Sequence, residues 1–185
     1  MPKLDRRVTK TLNLIDETGY DLLTTTSFER LSVAAICQTA QIGRSTFYQY
    51  YLDKYDWLEK QVTIYTDKFQ ALMATREEDF KQGDSLTQLV TELLPDQERL
   101  KVLLVIHVDE VDLEDKFQEI LQAALPQYLK HAKNLNVPVP YLQEIYASTA
   151  MTYIRYAIFH GLDDQISLFM NQAFNAVLAV VTKPT

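Results

Sequence analysis

Helix-breaking residues are rare in this chain of 185 residues, which contains only 4 glycines and 6 prolines. These two residue types are the ones that most often end helices or form the turns between strands. Long segments without either place apolar residues three or four positions apart, which is the spacing of one face of an α-helix. Strand-like alternation bounded by turn residues is hard to find. The sequence therefore predicts an all-α protein.

Composition narrows the class of protein further. Hydrophobic residues make up 47% of the chain and charged residues 23%, which is enough apolar material for a sizeable core. The single cysteine, Cys37, excludes an intramolecular disulfide and a CxxC metal site. No apolar segment follows the charged N-terminus, so a signal peptide is not expected. Residues 145–162 include Arg155 and His160 and are interpreted as a buried helix, not a membrane span, and we expect a cytoplasmic protein.

The net charge of −7 is unevenly distributed along the chain. Residues 1–60 contain eight basic and eight acidic side chains, so the whole acidic excess lies beyond them. Lys3, Arg6, Arg7 and Lys10 make the first ten residues locally positive. A neutral to basic N-terminal region followed by an acidic body agrees with a nucleic-acid-binding surface in the N-terminal region.

Three predicted helices occupy the N-terminal region. The first covers about residues 4–23, and Ser27 or Ser32 can cap the helix that follows. Residues 33–40 carry one apolar stripe, and residues 44–50 follow after a tight turn at 41–43. The last helix has inward aromatic residues and an outward row of polar ones, which is the plan of a helix-turn-helix.

The remaining two thirds of the chain also has helical periodicity. Asp53 is placed to cap a long helix at about 54–78, followed by helices at 85–94, 97–108 and 113–125. Pro126 permits only a kinked continuation through residues 128 and 129. Residues 134–140, rich in proline and asparagine, form a loop. These segments divide the chain into a predicted helix-turn-helix domain, residues 1–52, and a helical domain, residues 53–185.

The last two predicted helices are unusually apolar. Residues 141–160 contain only two charged side chains, Glu144 and Arg155, and Gly161 fits a helix C-cap. Asp163 and Asp164 open the final helix, whose apolar stripe runs to residue 181. Because this is more apolar surface than one small core needs, we expect a homodimer. The expected interface residues are Ile154, Ile158, Ile166, Phe169, Met170, Ala173, Phe174 and Val177.

One N-terminal segment resembles a known family. Residues 28–37 read Phe-Glu-Arg-Leu-Ser-Val-Ala-Ala-Ile-Cys, and residues 43–51 read Gly-Arg-Ser-Thr-Phe-Tyr-Gln-Tyr-Tyr. A Thr-Phe-Tyr tripeptide, an aromatic residue three positions later (Tyr51) and a lysine six positions later (Lys54) form a specific combination. The segment, about residues 10–60, closely resembles the DNA-binding signature of the TetR family of bacterial regulators. The chain differs from the family at Gln41, where glycine is usual, as well as at Tyr51 and Leu52.

The resemblance implies roles for particular residues. The second short helix would lie in the major groove of DNA, with its leading end at the base edges. Ser32 and Lys54 match positions that contact the DNA backbone. The implied DNA-binding residues are Arg44, Ser45, Thr46, Tyr48, Gln49, Ser32 and Lys54.

The sequence favours one function and leaves an alternative open. The favoured function is a transcriptional repressor that binds a pseudo-palindromic operator as a homodimer and responds to a small-molecule effector. In the alternative, the helical body binds a protein partner. We expect no enzymatic activity, cofactor, metal or membrane association, because no phosphate-binding loop, catalytic triad or ligand cluster is recognisable. Aromatic residues that could line an effector cavity, although most are expected in the core, are Tyr65, Phe69, Phe117, Tyr128, Tyr146, Tyr153, Tyr156 and Phe159.

The other notable residues have structural interpretations. Phe47, Tyr51 and Trp57 are predicted to be core residues, and Cys37 a small buried one. The histidines at 107, 131 and 160 lie too far apart to suggest a metal site. The acidic residues between 109 and 115 lack the glycine and the spacing of a calcium loop and are interpreted as a solvated loop.

Overall fold

A computed structural model of the chain describes residues 6–75, 85–109, 111–129, 135 and 137–181. These ranges contain helices and no strand, which confirms the all-α prediction. A short 3-10 turn, Leu94–Asp96, lies between the fifth and sixth of the following helices. The helices are α1 (Arg6–Leu23), α2 (Val33–Thr39), α3 (Arg44–Phe47), α4 (Lys54–Ala74), α5 (Ser85–Leu93), α6 (Gln97–Leu103), α7 (Leu113–Tyr128), α8 (Val139–His160) and α9 (Asp164–Val181).

Three predicted caps set helix boundaries. The Ser32 hydroxyl accepts a hydrogen bond of 3.1 Å from the backbone N–H of Ala35 and so begins α2. The Asp53 carboxylate accepts the N–H groups of the second and third residues of α4, at 2.8 and 2.9 Å. Gly161 ends α8 at a φ of 87°, a conformation that L side chains rarely adopt. All three predictions are confirmed.

The chain divides into two compact units, residues 1–63 and 64–185. The division falls within α4 and not at the sequence-based boundary between 52 and 53. In the N-terminal unit, α1, α2, α3 and the first turns of α4 enclose one core. Its fully buried residues include Ile15, Ile36, Phe47, Trp57 and Leu58.

Gly19 allows Trp57 to lie directly against α1. A Cβ atom at Gly19 would stand 2.5 Å from Cζ2 of the Trp57 ring, closer than carbon atoms can approach. The ring also makes an edge contact with Tyr20, with the centroids 5.6 Å apart. The close approach of α1 and α4 in this unit therefore depends on a residue without a side chain.

The core of the C-terminal unit is built from aliphatic and aromatic side chains. Phe69 and Phe117 are fully buried and stacked, with ring centroids 4.0 Å apart and planes inclined by 11°. On α8, the side chains of Ile154 and Ile158 are also fully buried. Burial of such side chains supplies most of the stabilisation of a helical body.

Pro126 lies inside α7, as the predicted continuation through residue 128 requires. Proline has no N–H, so the carbonyl of Gln122 loses its usual partner in the helix. The side-chain amide of Gln143, on α8, donates to this carbonyl at 2.9 Å. A side chain thus replaces the backbone bond that the proline removes, and α7 continues to Tyr128.

Two predicted helices are longer than the observed ones. The helix expected at 44–50 is α-helical only to Phe47, and residues 48–50 form successive turns because Tyr51 must point into the core. The helix expected at 97–108 ends at Leu103. The chain then leaves the helix so that Asp112 can cap α7, where its carboxylate accepts the N–H groups of Glu114 and Asp115. The predicted end of the long helix at 78 lies outside the described residues.

Among the described residues, no helix combines the length and the apolar character needed to cross a membrane.

Candidate nucleic-acid interface

Residues 44–49, which are α3 and the turn after it, present an outward row and an inward Phe47, as predicted. Phe47 faces the core and is fully buried. Arg44, Ser45 and Gln49 are exposed, and Tyr48 is 53% exposed. Thr46, half-buried, completes the outward set. The structure thus brings together on one short segment five of the residues expected to bind DNA.

The turn that leads into α3 passes through a left-handed residue. Gln41 has a φ of 54°, and it is the position where the family usually has glycine. A residue other than glycine pays a steric cost in this conformation. In this turn the N–H of Ile42 donates to the carbonyl of Cys37 at 3.0 Å. This hydrogen bond closes α2 and offsets the steric cost. Gln41 therefore adopts the left-handed conformation that glycine favours, and the turn forms with a residue other than glycine.

A half-buried carboxylate that sequence reasoning missed holds the segment after α3. Oδ1 of Asp16, on α1, accepts hydrogen bonds from the Tyr51 hydroxyl at 2.7 Å, Trp57 Nε1 at 3.0 Å and Gln61 Nε2 at 3.1 Å. Tyr20 in turn donates to Gln61 at 3.3 Å. An acidic residue beside the inward-facing Ile15 was the signal that could have revealed it.

This network fixes the protonation of Tyr51. Burial, reinforced by the hydrogen bond to Asp16, raises the pKa of the Tyr51 hydroxyl far above its ordinary value. The hydroxyl therefore stays a donor at any physiological pH. Tyr51 and Trp57 are core residues, as predicted, but both also contribute polar atoms to the core.

The ammonium group of Lys54 makes contacts within the protein. It donates to the backbone carbonyls of Phe28 at 2.8 Å and Glu29 at 3.0 Å. The same nitrogen lies 4.7 Å from the ring centroid of Phe28 and 5.3 Å from that of Tyr55. The expected phosphate-contacting lysine is thus engaged with the connection between α1 and α2.

Lys60 is engaged in a similar way at the other end of the helix-turn-helix. It donates to the carbonyl of Tyr50 at 2.8 Å and forms an ion pair with Asp56 at 2.9 Å. Burial raises the pKa of the Asp56 carboxyl, but the hydrogen bonds from the Leu52 N–H and from Lys60 outweigh it and lower the pKa overall. Asp56 is therefore ionised and holds the segment after α3 against α4.

The residues expected in a dimer interface fall into different environments. Ile154 and Ile158 have no exposed surface in the single chain, so they belong to its core and cannot contribute area to an interface. Phe169 is 66% exposed, Ile166 and Ala173 are half-buried, and Met170 is mostly buried. The side chains of Phe174 and Val177 lie outside the described residues. Other exposed apolar side chains on α8 and α9 are Tyr141, Ile145, Tyr156 and Leu168.

Most aromatic residues of the body fill its core, as expected. Two of them line an open groove of about 540 Å³ between α7 and α8. The Tyr128 side chain lies outside the described residues. The buried aromatic residues are Tyr65, Phe69, Phe117, Tyr146 and Tyr153. The groove is lined by Glu114, Gln118, Ser148, Met151, Thr152, Arg155, Tyr156, Phe159 and His160.

The acidic segment before α7 is more ordered than a solvated loop. Asp112 caps α7 and also contacts Nδ1 of His107 at 2.6 Å, and Glu114 forms an ion pair of 2.6 Å with Arg155. The hydrogen bond to Asp112, followed by its charge, raises the pKa of His107. Two of the five acidic residues are thus structural, a correction to the sequence-based interpretation. No group of metal-ligating residues occurs in the described part of the chain.

Comparison with known proteins identifies the fold. No family model matches the sequence, and no curated protein matches it. A solved structure from Syntrophomonas wolfei, assigned to the TetR family of transcriptional regulators, is 15% identical with a TM-score of 0.70, and the match covers 93% of this chain and 96% of that one. The fatty acid degradation regulator FadR from Bacillus halodurans is 12% identical with a TM-score of 0.65, covering 94% and 97%.

A third similar structure carries a different description. The dihydroxyacetone kinase operon activator DhaS is 20% identical, with a TM-score of 0.55, and the match covers 92% of this chain and 96% of that chain. These similarities extend over nearly the whole length of each protein. The chain therefore has the all-α fold of the TetR-family transcriptional regulators, which agrees with the resemblance seen in the N-terminal sequence.

Proposed function

We propose that this protein is a DNA-binding transcriptional regulator that reads DNA with α3. The observation that carries the proposal is the exposed row of α3 and the turn after it, where Arg44, Ser45 and Gln49 stand outward while Phe47 is fully buried. An arginine can bind guanine through two hydrogen bonds, and hydroxyl and amide groups bind phosphates and base edges. The fold shared with known regulators supports the same conclusion. A regulator of this kind acts in the cytoplasm.

The test is selection of a preferred duplex from a library of randomised DNA, followed by binding measurements. We expect a pseudo-palindrome whose half-sites lie roughly 34–36 Å apart or somewhat farther. Arg44→Ala should weaken binding to this duplex by about 1–3 kcal/mol and relax the preference at one base pair per half-site. Arg44→Lys keeps the charge but loses the fork geometry, so it should relax the preference with a smaller loss on random DNA. Wild-type protein that selects no sequence would refute the proposal.

We propose further that the protein binds DNA as a homodimer formed through α8 and α9. Exposed apolar residues on these helices, such as Phe169, Tyr141 and Ile145, support it, because large apolar side chains are costly to leave in water. Sedimentation should show a dimer at micromolar concentration, and Phe169→Glu should shift it towards monomer. Leu52→Glu introduces the same charge at an exposed position of the N-terminal unit and should leave the dimer intact. A monomeric wild type would contradict this proposal.

For regulation, we propose a small-molecule effector held in the groove between α7 and α8. The groove combines aromatic walls, Tyr156 and Phe159, with polar groups such as Ser148 and the ion pair of Arg155 with Glu114. A relative in fold, FadR from Bacillus subtilis, has been solved in complex with stearoyl-CoA. Thermal-shift screening of metabolites should find a stabilising ligand, and Thr152→Trp, which fills the groove, should abolish the shift.

The alternative regulator is a protein partner. Two observations favour it: most of the aromatic residues considered for a cavity fill the core, and apolar side chains remain exposed on α8 and α9. A metabolite screen without any stabilising ligand, together with a partner whose binding Tyr141→Glu abolishes, would establish it. We propose that the protein is a repressor, whereas DhaS is named an activator. A reporter gene fused to the regulated promoter distinguishes the two, because removal of a repressor raises expression and removal of an activator lowers it.

A further inference from the structure

We propose that a pair of hydroxyls inside the C-terminal unit, on Tyr153 of α8 and Ser167 of α9, determines which side of α9 faces solvent. The pair thereby presents Leu168 and Phe169 to a second copy of the chain. The proposal rests on the homodimer proposed above and adds what orients its surface. The observation that carries it is a buried serine that precedes two exposed apolar residues.

The first turns of α9 are buried in an unusual pattern. Ser167 is 7% exposed, whereas the next two residues, Leu168 and Phe169, are 59% and 66% exposed. A helix turns by about 100° per residue, so the Phe169 side chain points nearly opposite to that of Ser167. Leucine and phenylalanine are usually the buried residues and serine the exposed one. An interaction other than apolar burial therefore selects the serine side at these three positions.

A hydrogen bond between the two hydroxyls supplies this interaction. The Tyr153 hydroxyl and Ser167 Oγ lie 2.7 Å apart, and both residues are buried. The Tyr153 hydroxyl also donates to Thr87 Oγ1, on α5, at 3.4 Å, and the side-chain amide of Asn171 donates to the same oxygen at 3.5 Å. Ser167 can donate to Tyr153 while Tyr153 donates to Thr87, so the two bonds need different protons. One chain of polar groups thus joins α5, α8 and α9.

Apolar packing by itself leaves the rotation of α9 undetermined. The residues on either side of Ser167 cover most of the helix circumference at about 100° per residue. These residues are all apolar: Ile166, Leu168, Phe169 and Met170. Rotating the helix would replace one buried apolar side chain by another, but it would leave the buried Tyr153 hydroxyl without its closest partner. A buried polar pair in an apolar setting selects one arrangement, which is the role best attested for such pairs.

The orientation of α9 matters because Leu168 and Phe169 belong to the surface proposed for the dimer. A twofold dimer uses the same patch on both copies, so a rotated α9 would change both halves of the interface at once. The exposed apolar residues of α8, Tyr141 and Ile145, would then lack the partner side chains that complete the interface. The hydroxyl pair is therefore a positioning device, and it does not itself contact the second copy.

The experiment compares Tyr153→Phe, Ser167→Ala and the variant with both substitutions. Sedimentation gives the dimer dissociation constant, and urea denaturation gives the stability. Hydrogen–deuterium exchange of residues 164–173 is measured in an Ile145→Glu background, where the added charge on α8 weakens the dimer and contacts within one chain protect α9. Tyr141→Phe, which removes an exposed hydroxyl from the same helix as Tyr153, is the control. If a single variant does not fold, the double variant, which leaves neither hydroxyl unpaired, carries the test.

Each single substitution leaves one buried hydroxyl without its partner. We expect both to lower stability and to speed exchange in residues 164–173, on the order of tenfold. The double variant should recover most of the stability, because both polar groups are gone. Its α9 should still exchange faster and its dimer should still dissociate more readily, each on the order of tenfold, because nothing then selects the serine side. Tyr141→Phe should leave this exchange unchanged.

Two results would overturn the proposal. A double variant with the exchange and the dimer constant of the wild type would show that apolar packing alone orients α9. A double variant that does not fold, or whose dimer weakens only as far as its stability falls, would show that the pair adds stability without selecting an orientation. If the wild type is monomeric, the proposed dimer fails while exchange in residues 164–173 still decides whether the pair holds α9, so the two failures are distinguishable.

Discussion

The N-terminal and C-terminal units hold their helices together by different means. In the N-terminal unit one carboxylate, Asp16, accepts hydrogen bonds from side chains on two other segments, and lysines 54 and 60 donate to backbone carbonyls. In the C-terminal unit the core is mainly apolar and aromatic, centred on the stacked Phe69 and Phe117, and its buried polar contact is a hydrogen bond of 2.7 Å between the hydroxyls of Tyr153 and Ser167. There the ion pairs lie towards the surface, as in the pair of Arg155 with Glu114.

The difference corresponds to what each unit is proposed to do. Hydrogen bonds have a direction and a fixed length, so a core that contains them specifies one arrangement of helices. Such precision suits a surface that must present α3 to base edges. Apolar packing is strong but tolerates adjustment, because hydrophobic contact is not directional. A body that responds to an effector or a partner benefits from that tolerance.

The largest effect that tests this comparison is expected in the C-terminal unit. Phe117→Ala removes one ring of the buried stack and leaves a cavity beside Phe69. The free energy of unfolding should fall by about 3–5 kcal/mol, measured by urea denaturation. Phe117→Leu keeps much of the volume and should cost clearly less. Equal losses for the two variants would show that packing volume does not determine the stability of this unit.

A slightly smaller loss is expected from Asp16→Ala in the N-terminal unit. The change leaves three buried donors without an acceptor, namely Tyr51, Trp57 and Gln61. We expect a loss of about 3 kcal/mol, with faster hydrogen exchange at the start of α4. Asp21→Ala, an exposed acidic residue on the same helix, should change stability by less than about 0.5 kcal/mol. If both variants behave alike, hydrogen bonds do not define this core.

Gly19→Ala tests the packing of the same core, because it adds a methyl group without changing any polar group. The added methyl group would meet the Trp57 ring at 2.5 Å, and a rigid ring in a packed core cannot move away freely. Thermal unfolding should show a loss of about 1–3 kcal/mol. An unchanged melting temperature would mean that the approach of α1 to Trp57 is looser than the structure indicates.

The smallest expected effect is on the pH dependence of stability, through a histidine at the surface of the C-terminal unit. The hydrogen bond with Asp112 raises the pKa of His107 in the folded state above its unfolded value. Its contribution to stability is therefore full below the unfolded value, about 6.5, and is lost as the pH rises through the folded value. Because the ring is largely exposed, the contribution should stay below about 1 kcal/mol. His107→Gln should remove this part of the pH dependence of unfolding; a wild-type profile unchanged by the substitution would contradict it.

The helices and several of their ends were determined by local sequence. Ser32, Asp53 and Gly161 cap helices where the sequence predicts caps, because capping depends on residues a few positions apart. The same holds for the position of Gln41 in the turn before α3. The helix-turn-helix was predictable because its signature couples spacing to residue type over a short segment.

Tertiary structure decided what local sequence could not encode. The sequence shows that residue 54 is a lysine, but only the fold shows that its ammonium group meets the carbonyls of Phe28 and Glu29, far away along the chain. Along α8, apolar residues cover most of the circumference, so periodicity could not show that Ile154 and Ile158 face the core of their own unit. The residues that a side chain contacts depend on distance in space, whereas helical periodicity carries information only about neighbours along the chain.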